Sequence, residues 1–262
     1  MTTEDFIIEL FCRVDDKMFE VKKHPQAALY PSEVVTLALL FALKGVGNRA
    51  FYRWLKRNYE GLFPGLPHRT RLFRLFNSHR KWLKRFMAEP SLIGVIDSYG
   101  IELIHPRREG RSDKQIGRKG SSNVRWIVGG KLCLLLNHLG LVVDWDCDTA
   151  NVYDGSAFQH LIDGVAEDMV VFADVHFGKK GWNPPNLRLC QRGEWNDRMI
   201  VETVLSMLTL VCHFKKVMHR VWAYFKSRLG YTMALFNLLV QWHNFQADDD
   251  GFVHLSIAEF SL

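Results

Sequence analysis

Two isolated aspartates follow short apolar runs in this sequence, and both are candidates for metal chemistry. Asp97 closes the run LIGVID at 92–97, and Asp174 closes the run MVVFAD at 169–174. Apolar runs of this length are typical of buried strands, in which Asp is an unfavourable residue. A carboxylate held rigidly at a strand end is suited to binding a metal ion. The alternative is a turn residue that bonds its own backbone two residues on.

Glu202 is the third candidate carboxylate. It lies in the first turns of a predicted long helix, and Arg198 lies one turn before it. If the strands that end in Asp97 and Asp174 are neighbours, the following helix can bring Glu202 over them. Such a cluster of like charges is costly without a bound cation, and hard oxygen ligands suit Mg²⁺ or Mn²⁺. Two such ions can hold the attacking and leaving oxygens of an in-line phosphoryl transfer.

These three positions also have simpler interpretations. Asp97 can be a turn residue before Ser98-Tyr99-Gly100. Arg198 and Glu202 can be a surface ion pair four residues apart on one helix, which contributes little to stability. The residue types therefore predict metal-dependent phosphoryl transfer only when all of them are taken together.

Two other groups of side chains compete for the role of metal ligands. Asp144, Asp146 and Asp148 alternate along one predicted strand and therefore share a face, which we interpret as solvated. His213 and His219 would suit a zinc enzyme, but they are six residues apart on a predicted helix and lie on different faces of it. We rank both groups below the three carboxylates.

The composition indicates a globular protein. The chain has 262 residues, of which 48% are hydrophobic. Its longest apolar stretch, 34–43, is about half of the roughly 20 residues that a membrane span needs. The acidic N-terminus lacks the features of a secretory signal, so we predict a cytoplasmic protein with no membrane partner. The five cysteines include no Cys-x2-Cys pair, which argues against a disulfide framework and a zinc knuckle.

Positive charge is concentrated in two segments, although the net charge is only +6. Residues 69–88 contain seven Lys or Arg and no acid, and residues 107–125 contain seven against only Glu109 and Asp113. Nucleic acid is the natural partner of such surfaces. The candidate DNA contacts are Arg71, Arg74, Lys81, Lys84, Arg85, Arg118, Lys119, Lys179 and Lys180.

The order of predicted elements indicates an α/β fold with a central sheet. Residues 1–90 show helical periodicity, and we expect them to form a small, all-helical, DNA-binding domain. A second domain, 91–246, follows the break at AEPSL, and 247–262 form a polar tail. The predicted strands lie at 92–97, 126–137, 141–149, 169–174 and 186–191, and the predicted helices of this domain lie at 155–167, 198–229 and 231–243.

The arrangement resembles the DDE transposases of bacterial insertion sequences. The matching segments are GVIDSYGIEL for the first Asp, VFADVHFGKKGW for the second, and DTANVYDGSAF just upstream of the second. Many relatives show Tyr-x2-Arg-x3-Glu-x6-Lys around the Glu. This chain keeps Arg198 and Glu202 but has Trp195 and Thr209 at the outer two positions. The resemblance covers most of the chain.

The resemblance implies a ribonuclease-H-like mixed sheet flanked by helices, which follows the helical N-terminal domain in the sequence. It implies that Asp97, Asp174 and Glu202 bind two Mg²⁺ or Mn²⁺ ions, while Arg198 steadies Glu202 or contacts a phosphate. The implied reaction is cleavage of double-stranded DNA at the insertion-sequence ends and strand transfer into a target, by a homodimer on the DNA. Two alternatives stay open: a nuclease of the same fold without strand transfer, and a DNA-binding relative that has lost catalysis.

Overall fold

The computed structural model describes residues 1–122, 125–190, 198–214, 219–243, 257 and 260. Its first part is helical, as the sequence predicts. The helices are α1 (Thr3–Met18), α2 (Pro31–Lys44), α3 (Asn48–Asn58) and α4 (Arg69–His79), and α4 is followed by the 3-10 helix Arg80–Phe86. The helical periodicity of the sequence predicts one α-helix from about residue 70 to 87, and this prediction is wrong for Arg80–Phe86, which winds as a tighter 3-10 helix. The sequence also predicts Thr70 as the N-cap of this helix, but the N-cap is His68, and Thr70 lies inside α4.

The second part is a six-stranded mixed sheet. Its strands are β1 (Ile93–Ile104), β2 (Arg118–Ser122), β3 (Arg125–Asn137), β4 (Val142–Thr149), β5 (Val170–Asp174) and β6 (Leu187–Cys190). The spatial order is β2-β3-β1-β5-β6, and β4 pairs with β3 beside β2. The pairs among β1 to β4 are antiparallel, whereas β5 pairs in parallel with both β1 and β6. This is the α/β fold that the order of elements predicts, with the ribonuclease-H-like architecture that the resemblance to DDE transposases implies.

The strand β1 is longer than the predicted 92–97, so Asp97 does not end it. The reason lies in its two neighbours. The parallel partner β5 pairs only with Ile93 to Ile96, but the antiparallel partner β3 pairs along β1 as far as Ile104. The backbone beyond Asp97 is therefore hydrogen-bonded on one side and stays extended. The sequence also predicts a polar, basic loop over 105–125, but β2 lies within that segment and pairs with β3.

The two faces of the sheet pack against different cores. Val95, Leu132 and Leu134 join one core with α1, α2, α4 and two later helices, α7 (Arg198–Leu210) and α8 (Trp222–Trp242). Ile96, Leu135 and Val171 join a second core with the short helices α5 (Asp154–Ala157) and α6 (Gln159–Asp163). A single helix was predicted at 155–167. It is divided at Phe158, whose fully buried ring fills the second core.

The helices after the sheet differ from the predicted helices at 198–229 and 231–243. The chain leaves α7 after Leu210, and His213 has the left-handed φ of 50°, which a continuous helix does not allow. The helix α8 then runs without a break past Gly230. The close packing of α8 at this point needs a residue without a side chain, because a Cβ at position 230 would collide with Leu83 and Trp145.

The N-terminal helices and α8 are joined by buried hydrogen bonds. The amide of Asn237 donates to the carbonyl oxygens of Phe86 and Val142, at 2.9 and 2.7 Å, and the hydroxyl of Tyr231 donates to Phe76 at 2.9 Å. The domain boundary near residue 90 stays a prediction. The predicted tail at 247–262 lies outside the described residues apart from 257 and 260.

Hydropathy along the described helices indicates whether any of them could span a membrane. None of these helices alone is long and apolar enough to cross a bilayer, and α2 and α3 meet that criterion only as a pair bent by 116°.

Candidate active site

Asp97 and Asp174 occupy neighbouring positions on β1 and β5. The parallel ladder between these strands ends at the pair Ile96 and Ala173, and each aspartate is the next residue. Ile96 and Ala173 both belong to the second core, so both aspartates point to the opposite face, which Val95 shares. Both are half-buried. The prediction that the two strands lie side by side is thus matched by the sheet register.

Local hydrogen bonds hold each aspartate. The carboxylate of Asp174 accepts a hydrogen bond from the backbone N–H of His176 at 3.1 Å and caps the 3-10 helix Val175–Phe177. The carboxylate of Asp97 accepts one from the backbone N–H of Ser98 at 2.7 Å. Asp174 therefore does make the turn contact that the simpler interpretation expected. That contact and metal binding are compatible, because a carboxylate has several acceptor sites.

Glu202 lies on the exposed side of α7, and the helix packs on the same sheet face as the two aspartates. Val201, Val204 and Leu208 are buried in the core that contains Val95, at a spacing typical of one helix face. Glu202 itself is exposed, and Arg198 begins the helix, although its side chain is not among those described. No group of three or more His, Cys, Asp or Glu in the described part of the chain is arranged to hold a metal ion.

The structure adds a buried ion pair that the sequence analysis missed. The Nζ of Lys131 on β3 lies 2.8 Å from Oδ1 of Asp154, and these side chains are only 14% and 12% exposed. The hydroxyl of Ser98, the residue after Asp97, donates to Oδ2 of Asp154 at 2.9 Å. Asp154 thus ties α5 to β1 and β3 directly behind Asp97. The signal was Lys131, a lone charge within an apolar strand, which needs a buried partner.

A buried cysteine lies beside this network. Cys133 pairs with Ser98 in the register of β1 and β3. Burial, followed by the charges of Asp154 and Asp97, raises the pKa of its thiol well above the ordinary value. The thiol therefore stays protonated at neutral pH, and Cys133 acts as a small apolar residue.

The three aspartates that compete for the role of metal ligands lie on β4, which is an edge strand of the sheet. Asp144 and Asp148 are exposed on β4, and Asp146 is held by Lys226 at 2.6 Å and His160 at 3.4 Å. Each of the three also accepts a hydrogen bond from the next backbone N–H. Charged residues on an edge strand oppose pairing with other chains, which gives this strip a structural role.

The histidines of the zinc alternative are in different surroundings. His213 lies in the turn after α7, and His219 is half-buried before α8. Burial, together with the charge of Arg228, lowers the pKa of His219 to about 4. His219 is therefore neutral at pH 7.

The nine predicted DNA contacts are all exposed. Two of them pair with acids: Arg85 lies 3.5 Å from Glu20, and Lys119 lies 3.3 Å from Glu109. Lys179 and Lys180 follow Asp174 closely, on the turn before β6. Lys215 and Lys216, which follow the position of the missing family Lys, lie outside the described residues, as do Glu194 and Trp195.

The sheet has the mixed strand order of a ribonuclease-H-like domain. It also carries two carboxylates at neighbouring positions of the parallel strands β1 and β5. Comparison with known families makes this more specific: residues 89–188 match the family model for a transposase DDE domain. This match confirms, over residues 89–188, the resemblance to the DDE transposases of insertion elements. No curated protein and no solved structure matches the chain. The family match includes Asp97, Lys131, Asp154 and Asp174 and ends before Glu202.

Proposed function

We propose that this protein is a transposase that cuts double-stranded DNA at the ends of its insertion sequence and transfers the cut strands to a target. It would act in the cytoplasm as a homodimer on the DNA. The observation that carries the proposal is the neighbouring position of Asp97 and Asp174, on one sheet face and within the segment that matches the transposase DDE domain. DDE transposases generally depend on divalent metal ions.

The two aspartates fit a divalent metal by the chemistry of their side chains. Carboxylate oxygens are the ligands that Mg²⁺ and Mn²⁺ prefer, and two half-buried carboxylates on adjacent strands repel each other unless a cation lies between them. Asp97 and Asp174 would therefore hold the metal, and Glu202 would complete the ligand set from α7. Two bound ions would activate the attacking oxygen and stabilise the leaving oxygen.

The reaction consists of two phosphoryl transfers. In the first, the oxygen of a water molecule bonds to phosphorus at the transposon end, the bond from phosphorus to the 3′ oxygen breaks, and a 3′-hydroxyl is released. In the second, that hydroxyl attacks a phosphate of the target strand and displaces a target 3′-hydroxyl. The sheet holds Asp97 and Asp174 in fixed positions for both steps, and Arg198 would restrain Glu202 or contact a phosphate. Fixed charges of this kind need no reorganisation during the reaction.

Contacts to the DNA backbone would come from the exposed basic residues. Arg71, Arg74, Lys81, Lys84 and Arg85 belong to α4 and the following 3-10 helix, Arg118 and Lys119 to β2. Lys179 and Lys180 follow Asp174 by five and six residues in the sequence and would contact phosphates close to the reacting one. Such contacts position the duplex without reading its sequence.

Product analysis tests the proposal against its two alternatives. DNA with a labelled 3′-hydroxyl end, taken from the sequences that flank the coding region, is incubated with a target plasmid and Mg²⁺ or Mn²⁺. Joined strands support the transposase. Cut strands without joining indicate a nuclease, and binding without any product indicates a relative that has lost catalysis.

A further inference from the structure

Two open clefts meet between the N-terminal helices and the sheet. The first, of about 990 Å³, lies at the start of α3 and of α4. The second, of about 770 Å³, lies along the segment between β1 and β2. His219, Arg220 and Val221 line both clefts, so the two are continuous. We call this continuous surface the basic groove.

Positive charge lines the basic groove along its whole length. No acid is among the described residues that line either cleft. The following cations line the groove and form no ion pair with a described residue: Arg49, Arg69, Arg108, Arg111, Lys114 and Arg220. Arg69 is half-buried, and the others are exposed. Asp113 is in the same segment but does not line the groove. Cations without nearby acids repel one another, and a polyanion relieves that repulsion.

The helix ends at the first cleft add to this charge. Neither α3 nor α4 has a side-chain hydrogen bond at its N-cap, and neither has an acid in its first turn. Helix N-termini attract anions, yet these two place Arg49 and Arg69 there, which the helix dipole opposes. A phosphate bound there would accept hydrogen bonds from backbone N–H groups of the first helical turn and would neutralise the arginines.

A buried arginine forms part of the same wall. Arg228 is 5% exposed, and its guanidinium donates to the carbonyl oxygens of Phe41 and Ala42. Its Nε has no hydrogen-bond partner within the described chain. Burial lowers the pKa of Arg228 to about 10, so the group stays charged at neutral pH. It thus adds a fixed positive charge at the floor of the first cleft.

We propose that the basic groove holds the backbone of double-stranded DNA. This inference rests on the proposed function, and it adds a contact surface that the nine predicted DNA contacts do not include. The cations are spread along two clefts, which suits the repeated phosphates of a duplex better than one small anion. Counterion release from several phosphates then makes the binding strongly dependent on salt.

Duplex binding by three forms of the full-length protein tests this inference. The groove variant carries Arg49→Ala, Arg111→Ala and Arg220→Ala. The control variant carries Lys17→Ala, Lys22→Ala and Lys56→Ala, which remove the same charge from residues that do not line the groove. Affinity for a short fluorescent duplex is measured by anisotropy over a range of salt concentrations, and melting curves establish that each variant is folded.

The groove variant should bind the duplex at least about tenfold more weakly than the control, with a slope of log affinity against log salt reduced by about 2 to 3. Equal affinity and slope in the two variants would overturn the groove while leaving the proposed function intact. Wild-type protein that does not bind duplex at all would overturn both. Stabilisation of the wild type by millimolar inorganic phosphate, without duplex binding, would assign the groove to a small anion instead.

Discussion

Asp97 and Asp174 are 77 residues apart in sequence, yet each is the residue that follows the last parallel pair between β1 and β5. Neighbouring strands lie about 4.8 Å apart, and residues in register point to the same face. Two carboxylates are therefore side by side on a rigid sheet. Two carboxylates at adjacent positions offer oxygen ligands to one cation, and this is the physical basis of the proposed catalytic site.

The buried pair of Lys131 and Asp154 should be important for stability. The change Asp154→Ala leaves the ammonium group of Lys131 buried without its counter-charge, and we expect a loss of about 3 kcal/mol or more in the free energy of unfolding. Urea denaturation measures this loss. The double variant Lys131→Met with Asp154→Leu should recover most of the stability, because an apolar pair of similar volume replaces the ions.

The same double variant separates a structural role from a positioning role. If Asp154 also positions Asp97 through Ser98, cleavage of DNA by the stable double variant stays below that of the wild type. Wild-type cleavage rates would restrict the pair to a structural role. A stability loss in the double variant as large as in Asp154→Ala would contradict the ion-pair account.

The sequence predicted the sheet and its carboxylates better than it predicted lengths and breaks. Apolar runs identified five strands, and the lone Asp at the end of two of these runs indicated the candidate site, whose role stays a prediction. The extension of β1 was not predictable in the same way, because it depends on pairing with β3, about 25 to 40 residues later in the chain. The break between α7 and α8 is equally non-local, since buried Cys212 and Phe214 lie within the turn and keep the pattern apolar.

Glu202, and not Glu194, should be the third carboxylate of the site. Glu202 lies within α7, which Val201 and Val204 seat on the sheet face that holds the two aspartates. Glu194 precedes the helix and lies outside the described residues. We expect Glu202→Gln to reduce Mg²⁺-dependent cleavage by about 10²-fold or more, which corresponds to a few kcal/mol of transition-state stabilisation. Glu194→Gln is the matched control and should cleave normally; the reverse result would reject α7 as the source of the third ligand.

The basic face of α4 and its following 3-10 helix should make a measurable contribution to DNA binding. Replacing Arg71, Arg74, Lys81 and Arg85 with Ala should reduce the slope of log affinity against log salt by up to about 0.9 for each phosphate that is no longer neutralised. Arg85 also pairs with Glu20, so its contribution should be the smallest of the four. The measurement is duplex binding at several salt concentrations. An unchanged slope would move the phosphate contacts away from this face.

His219 should make the protein sensitive to acid. Its folded-state pKa of about 4 lies below the ordinary value of 6.5, because burial and then Arg228 disfavour the charged ring. Stability is therefore fully present above pH 6.5 and falls as the pH drops towards 4, by on the order of 1–3 kcal/mol. His219→Gln should reduce this fall, whereas the exposed control His138→Gln should not. Identical melting profiles of His219→Gln and the wild type from pH 7 to 4 would disprove it.

The most direct test of the central claim is Mg²⁺- or Mn²⁺-dependent cleavage of DNA carrying the sequences that flank the coding region. The proteins compared are the wild type, Asp97→Asn, Asp174→Asn and the double variant, with thermal melting alongside. If the two aspartates share the metal, each single variant should lose about 10³-fold or more of the rate, since the metal site supplies several kcal/mol. The double variant should be no worse than either, because the site fails as a unit. Melting temperatures should be equal or higher, since like-charge repulsion is relieved. Full activity in a well-folded Asp97→Asn or Asp174→Asn variant would contradict the account.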